Sequence, residues 1–212
     1  MFPQISIKNT DMSRAKRLKT DISLLKKSIL DFTPRSYSPK RLNTLRIRIF
    51  PFPKKENCNE FYIKQKSKKY LCLNSCLLSR RYYSALQYTL HGIAHSFCFL
   101  RHDISEEVFC EYVSYSILNE FLKDKGEKFK RRMMKSVMKV SPKEYNNYFR
   151  AARKLDEKKK GFLKKLNSKA KSRKLSKRKE KIVFSRLLKM RRLDDNDLVD
   201  NSIELEKGFR KL

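Results

Sequence analysis

The chain has 212 residues, 40% hydrophobic and 35% charged, with 14 Phe and 10 Tyr. That is enough apolar material for one ordinary domain with extensions, and too much for wholesale disorder. Four Gly and six Pro, with no GxGxxG or Walker-type loop, exclude glycine-rich nucleotide-binding folds and argue against sandwiches and propellers. The 53 Lys and Arg stand against 22 Asp and Glu, a formal net charge of +31, and such self-repulsion points to a polyanionic partner, nucleic acid first.

No apolar run is long enough for a membrane span, and the opening MFPQISIKNTDMSRAKR has neither an apolar core nor a cleavage site, so a cytoplasmic protein is expected. The odd set Cys58, Cys72, Cys76, Cys98 and Cys110 reads as reduced core residues of an intracellular protein.

In chain order, Asp11–Leu30 carries Leu18, Ile22, Leu25 and Ile29 at helical spacing and is predicted to be a helix, followed by a connecting loop over 31–43. Leu45–Ile49 (LRIRI) alternates as a strand with one buried face; Phe61–Ile63 and Tyr70–Asn74 are the next strands. Arg80–Leu100 returns to helical period, with Ala85, Leu86, Leu90, Ile93, Ala94 and Phe97 on one apolar face. Ser105–Leu122 is a second helix, with Ser105 as its expected cap and Glu106 and Glu107 in the first turn.

Beyond this point the composition shifts. Residues 123–193 hold 29 Lys and Arg against 6 Asp and Glu, a net +23, and form a basic arm. Ser141-Pro142-Lys143-Glu144 reads as a helix start, with Tyr145, Tyr148, Phe149 and Ala152 following on one face. Lys164–Lys181 has too few apolar residues to bury a helix, so it is expected to be solvated or held by a partner. The amphipathic segment 182–193 is a candidate docking site for a protein partner, and 194–212 is an acidic tail.

The chemistry concentrates where the histidines do. His91, His95 and His102 fall within twelve residues, and His91 and His95 are four apart on a predicted helix, so their imidazoles sit one turn apart and can share a metal. Glu107 and Glu111 repeat that spacing on the next helix, making Glu107 a candidate third ligand and Glu111 a candidate hydrogen-bond partner for a ligand imidazole.

The order YLCLN, then RRYYSALQYTLHGIAHSF, then SEEVFCEYVSY resembles the core of the gluzincin-type zinc peptidases, and is most similar to the ImmA/IrrE-type domains. The resemblance covers residues 44–122 and leaves the arm without a counterpart. It implies a small zincin-like domain over 44–122, with a short mixed sheet packed on two helices; together with the N-terminal helix and connecting loop of 1–43 and the long basic helical C-terminal arm, the expected fold class is α+β. It also implies zinc on His91, His95 and Glu107, and a role for Tyr70–Asn74 as the edge strand that pairs with extended substrate. One departure stands out. The family motif HExxH here reads His91-Gly92-Ile93-Ala94-His95, so the general-base Glu is replaced by Gly92. Gly costs about 1 kcal/mol relative to Ala inside a helix, so helix propensity does not explain it.

These readings combine into an expectation of a catalytically inactive zinc-peptidase-like scaffold whose arm binds nucleic acid. RNA is favoured, ribosomal RNA in particular. The phosphate contacts are expected from Arg131, Arg132, Lys158, Lys159, Lys160, Lys171, Arg173, Lys174, Lys177 and Arg178. The alternatives are an active zinc metallopeptidase with a nucleic-acid-docking arm, a DNA-bound regulatory protein, and a zinc-stabilised interaction module.

Overall fold

The computed structural model describes residues 4–7, 12–33, 45–51, 60–65, 68–101, 103–141, 143–158 and 161–189. Cys58, His102, Lys159, Lys160 and the acidic tail lie outside them. The described part is an α+β chain, mostly helical. Its strands are β1 (Gln4–Ile7), β2 (Leu45–Phe50), β3 (Glu60–Gln65) and β4 (Lys68–Asn74). Its helices are α1 (Met12–Leu24), α2 (Lys26–Asp31), α3 (Ser75–Arg80), α4 (Tyr82–Phe97), α5 (Asp103–Phe121), α6 (Glu127–Val140), α7 (Lys143–Lys158), α8 (Phe162–Lys171) and α9 (Lys177–Lys189). No helix among the described residues is long and apolar enough to cross a membrane.

The residues group into two compact units, Met1–Phe97 with Val113–Pro142, and Cys98–Tyr112 with Lys143–Leu212. The division falls inside α5, whose first half belongs to the second unit and whose remainder belongs to the first.

In the first unit the strands form one sheet in the order β1-β2-β4-β3, with β1, β2 and β4 parallel and β3 antiparallel to β4. The alternation read in LRIRI is the burial pattern of β2: Leu45, Ile47 and Ile49 are buried, while Arg46 and Arg48 are exposed. Leu71 and Leu73 of β4 stand beside Ile47 and Ile49 in register and complete an apolar surface. Strand β4 has neighbours on both sides, β2 and β3, so its hydrogen-bonding edges are used within the sheet. The expectation that Tyr70–Asn74 is an edge strand open to substrate is therefore corrected: β3 holds that end of the sheet.

Helix α4 is the centre of this unit. Every residue from Ser84 to Phe97 is buried except His95, so the helix is enclosed all round rather than on one face. Three of its polar side chains make hydrogen bonds within the unit. Gln87 Nε2 donates to Ser114 Oγ at 3.1 Å, Thr89 Oγ1 to the Ala85 carbonyl at 2.7 Å and Ser96 Oγ to the Ile93 carbonyl at 2.6 Å. Lys69 Nζ of β4 donates to the Ser96 carbonyl at 2.7 Å, a cation at the negative end of the helix. Helix α1 is tied on by Tyr82, whose hydroxyl donates to Asp21 Oδ2 at 2.5 Å. Burial and that carboxylate push the Tyr82 phenol far above the ordinary tyrosine range.

The predicted helix over Asp11–Leu30 is interrupted at Leu25 and becomes α1 and α2. A short helix, α3, intervenes before α4, with Asn74 as its cap: the Cys76 N–H donates to Asn74 Oδ1 at 3.1 Å. Helix α5 starts at Asp103, so Ser105 lies inside the first turn, fully buried, and is not the cap. Cys72 and Cys110 are buried and Cys98 is half-buried, but Cys76 is exposed and does not belong to the core; all four thiols are free.

The second unit corrects the expectation for Lys164–Lys181. Leu166, Ala170 and Leu175 from that stretch are buried, together with Phe149, Ala152, Phe162, Leu163, Val183 and Phe184. Two buried polar side chains also fix the segment that precedes α5. Asn167 Oδ1 accepts the Phe99 N–H at 2.7 Å, and Glu180 Oε1 accepts the Arg101 N–H at 2.8 Å. The Tyr112 hydroxyl donates to Asp156 Oδ2. Val183 and Phe184 are already covered, so part of the apolar face of segment 182–193 is used within the unit, whereas Ile182 is exposed.

The Glu180 contact carries a prediction. Glu180→Ala strands the Arg101 N–H and should lower stability by about 1–3 kcal/mol, whereas Glu180→Gln, which keeps an acceptor oxygen, should recover much of the loss. Denaturant unfolding of the full chain checks both. Equal stability of all three proteins would mean that the carboxylate holds nothing in place.

Candidate metal centre

Two features of α4 place its histidines. The four-residue spacing stacks them one turn apart, and the burial of the surrounding helix fixes both rings. His91 is 3% exposed and His95 is half-buried. The ring centroids are 4.7 Å apart at 66°, and the two Nε2 atoms face each other at 2.9 Å. In that arrangement one Nε2 carries a proton and the other a lone pair; a metal takes the lone pairs of both.

Glu107 comes from the first half of α5, where Asp103 and Glu106 also meet the positive end of the helix dipole. It is half-buried, and its carboxylate joins the two imidazoles in a group whose ligand atoms all lie within 4.8 Å of one another. Among the described residues this is the group that could hold a metal ion. Two imidazoles and one carboxylate form a zinc donor set with room for a further ligand. Tetrahedral zinc at the usual bond lengths separates neighbouring ligand atoms by about 3.3 Å, a few tenths of an ångström more than the separation of the two Nε2 atoms. The two imidazoles are thus near the spacing that a shared ion asks of them, and the group could hold a metal ion.

Of the other residues predicted here, Glu111 is buried one turn beyond Glu107 and is not part of the three-residue group. Cys98 and Cys110 do not join it either. The two thiols hydrogen-bond to each other, and burial and that bond push the Cys110 thiol well above its ordinary range.

Gly92 has a structural cause. A β-carbon built on it would stand 2.5 Å from Leu71 Cδ1, 2.6 Å from Cδ2 and 2.9 Å from Cγ, far inside contact distance. Helix α4 runs so close to β4 that Leu71 occupies the space a side chain at position 92 would need. Sequence reasoning found the glycine but not this partner. The signal was available as an interior helical Gly paired with a fully buried strand Leu.

The predicted phosphate contacts are distributed as follows. Arg131 and Arg132 are exposed on α6, where Arg131 Nε lies 3.7 Å from Glu127 Oε2. Arg173, Lys174, Lys177 and Arg178 are exposed around the turn from α8 into α9. Lys171 is half-buried, with its Nζ 5.3 Å from the Phe99 ring centroid. Lys158 ends α7, and its side chain, like Lys159 and Lys160, lies outside the described set.

Comparison with protein-family models, with curated proteins and with solved structures finds no match to this chain.

The Leu71–Gly92 contact predicts a coupling. Gly92→Ala gains about 1 kcal/mol of helix propensity but overpacks the α4–β4 contact by about 1–3 kcal/mol, so it should be neutral to destabilising. In a Leu71→Ala background, where the space is open, the same change should stabilise. A double-mutant cycle by denaturant unfolding reads the difference; additivity of the two changes would refute the close contact.

Proposed function

We propose that this chain is a nucleic-acid-binding protein, with RNA, and ribosomal RNA in particular, as the favoured partner, carried on a catalytically inactive zinc-peptidase-like scaffold. The observation that carries the inactive half of the reading is Leu71 packed into the space beside Gly92. A zinc peptidase needs a base held next to the metal-bound water, and loss of a positioned base costs on the order of 10²–10⁴ in rate. At position 92 any side chain, a carboxylate included, would need the buried Leu71 side chain to move aside. His91, His95 and Glu107 retain the donor set, so zinc bound there would have a structural role.

What supports the nucleic-acid half is charge in fixed places. The net charge of +31 is concentrated over 123–193, and Arg131, Arg132, Arg173, Lys174, Lys177 and Arg178 are exposed on folded helices and their turns. Lysines and arginines held in this way neutralise phosphates and release counterions.

The second reading, an active metallopeptidase, is favoured by one observation: His95 and Glu107 of the ligand group are half-buried rather than sealed. Zinc-loaded protein separates the two. It should bind up to one zinc per chain, lose it in His95→Ala, and hydrolyse no unfolded protein above a metal-free blank. Turnover that a chelator abolishes would establish the peptidase instead.

The nucleic-acid reading is tested by salt. For single-stranded RNA, log K should fall linearly with log salt, with a slope of about −0.7 per phosphate contact. Charge reversal at Lys174, Lys177 and Arg178 together should flatten that slope by about two units. A wild-type slope near zero would sink the reading, and tighter binding to duplex DNA would move it to the DNA-bound alternative.

A further inference from the structure

A second group of side chains, remote in sequence from the basic arm's turn, lies on the first unit. Tyr83 is the second residue of α4 and Phe129 the third of α6. Their rings meet edge-on, with centroids 5.9 Å apart at 78°. Tyr82 meets Tyr83 in the same manner at 5.5 Å. Arg17 of α1 lays its guanidinium carbon 4.2 Å from the Tyr82 centroid and 5.9 Å from that of Tyr83, and its Nη2 donates to the Tyr83 hydroxyl at 3.4 Å. Arg132 lays its guanidinium carbon over the Phe129 ring, 5.8 Å from the centroid. Tyr83 and Phe129 are half-buried; Arg17 and Arg132 are exposed.

We infer that Tyr83 and Phe129, flanked by Arg17 and Arg132, form a stacking site for unpaired bases of single-stranded RNA.

The inference rests on the nucleic-acid reading above and adds a kind of contact that the charged residues cannot supply. A cation neutralises a phosphate; an aromatic ring offers a π-face to a base, and single-strand-binding surfaces combine the two. The rings are held from behind. Tyr82 is anchored to the buried Asp21 carboxylate, which also lies 3.7 Å from Arg17 Nε. That fixes both the neighbouring ring and the arginine above it. The acid on the α6 side, Glu127, is engaged by Lys130 and Arg131. Lys16, Lys19 and Lys128 are exposed on the same helices, so the surroundings are cationic. A duplex keeps its base faces inside its own stack, whereas RNA loops and single strands display them. A protein partner would need an apolar patch, and here a guanidinium lies over one face of each ring.

Stacking and charge neutralisation leave different signatures, because only the second releases counterions. A fluorescent oligoadenylate is titrated with the full chain at several salt concentrations. In Tyr83→Leu/Phe129→Leu the line of log K against log salt should drop by roughly tenfold in affinity at unchanged slope. Tyr83→Phe should bind as wild type, and Arg132→Gln should flatten the slope by about 0.7. In the wild-type chain, the same oligonucleotide carrying one 5-iodouridine should photocrosslink to Tyr83 or Phe129, a readout that does not depend on whether the leucine variants fold. Wild-type binding with an unchanged leucine variant, crosslinks confined to other positions, or an equal effect of the leucine changes on duplex RNA would overturn the stacking site and leave the wider reading intact. No binding of wild type to any RNA would overturn the wider reading itself.

Discussion

The approach of α4 to β4 at Gly92 sets the rest of the first unit. With no side chain at position 92, the helix sinks until Leu71 fills the gap, and the residues on every side of α4 come under cover. An interior glycine costs about 1 kcal/mol of helix propensity, which close packing over a fully buried helix offsets. The same approach decides what the neighbouring histidines can do. His91 is drawn into the interior beside the contact, and His95, one turn on, is left partly open. A carboxylate between them and a tight helix–sheet contact compete for one volume, and in this chain packing occupies it.

The pair His91/His95 and its partner Glu107 were legible because i,i+4 spacing on a helix is a geometric statement, and α5 follows α4 after a short segment that limits where its first turns can go. Strand β2 is equally plain, since LRIRI alternates and one of its faces is charged. What escaped has physical causes. Strand β1 is four residues long and pairs with β2 alone, so its own sequence carries little signal. The place of β4 inside the sheet depends on β3 folding back against it, and strand order is not written in either strand's alternation. Ser105 has the chemistry of a cap, but α5 begins two residues earlier, at an aspartate.

The basic segment departs from its composition for a different reason. Counting apolar residues in Lys164–Lys181 treats burial as the work of aliphatic side chains, yet two of the residues that fix this region are polar. Asn167 and Glu180 are both fully buried, and each accepts a backbone N–H from the stretch before α5. A single glutamate among eight lysines and arginines from Lys169 to Lys181 looks like a stray surface charge. Its burial shows instead that a few apolar residues, Leu166, Ala170, Leu175, Val183 and Phe184, suffice when buried hydrogen bonds complete the packing.

Order in that segment changes how its charge acts. A disordered lysine-rich tail loses conformational freedom when it meets a polyanion, and that loss subtracts from affinity. Helices α8 and α9 have already made that loss in folding, so on the proposed reading their exposed cations would meet phosphates from positions that are set beforehand. The turn between them carries the arrangement furthest. The Lys174 N–H reaches the Lys169 carbonyl at 2.9 Å and the Arg173 N–H reaches the Ala170 carbonyl at 3.1 Å, the hydrogen bonds of a helix end that favours glycine at its left-handed residue. That residue is Arg173, at φ 57°. Holding an arginine there costs about 1 kcal/mol or more, and glycine would relieve it. On the proposed reading the strain has a use: it keeps a guanidinium on the turn between Lys169 and Lys177, where a phosphate backbone would meet it together with the exposed Lys174, Lys177 and Arg178.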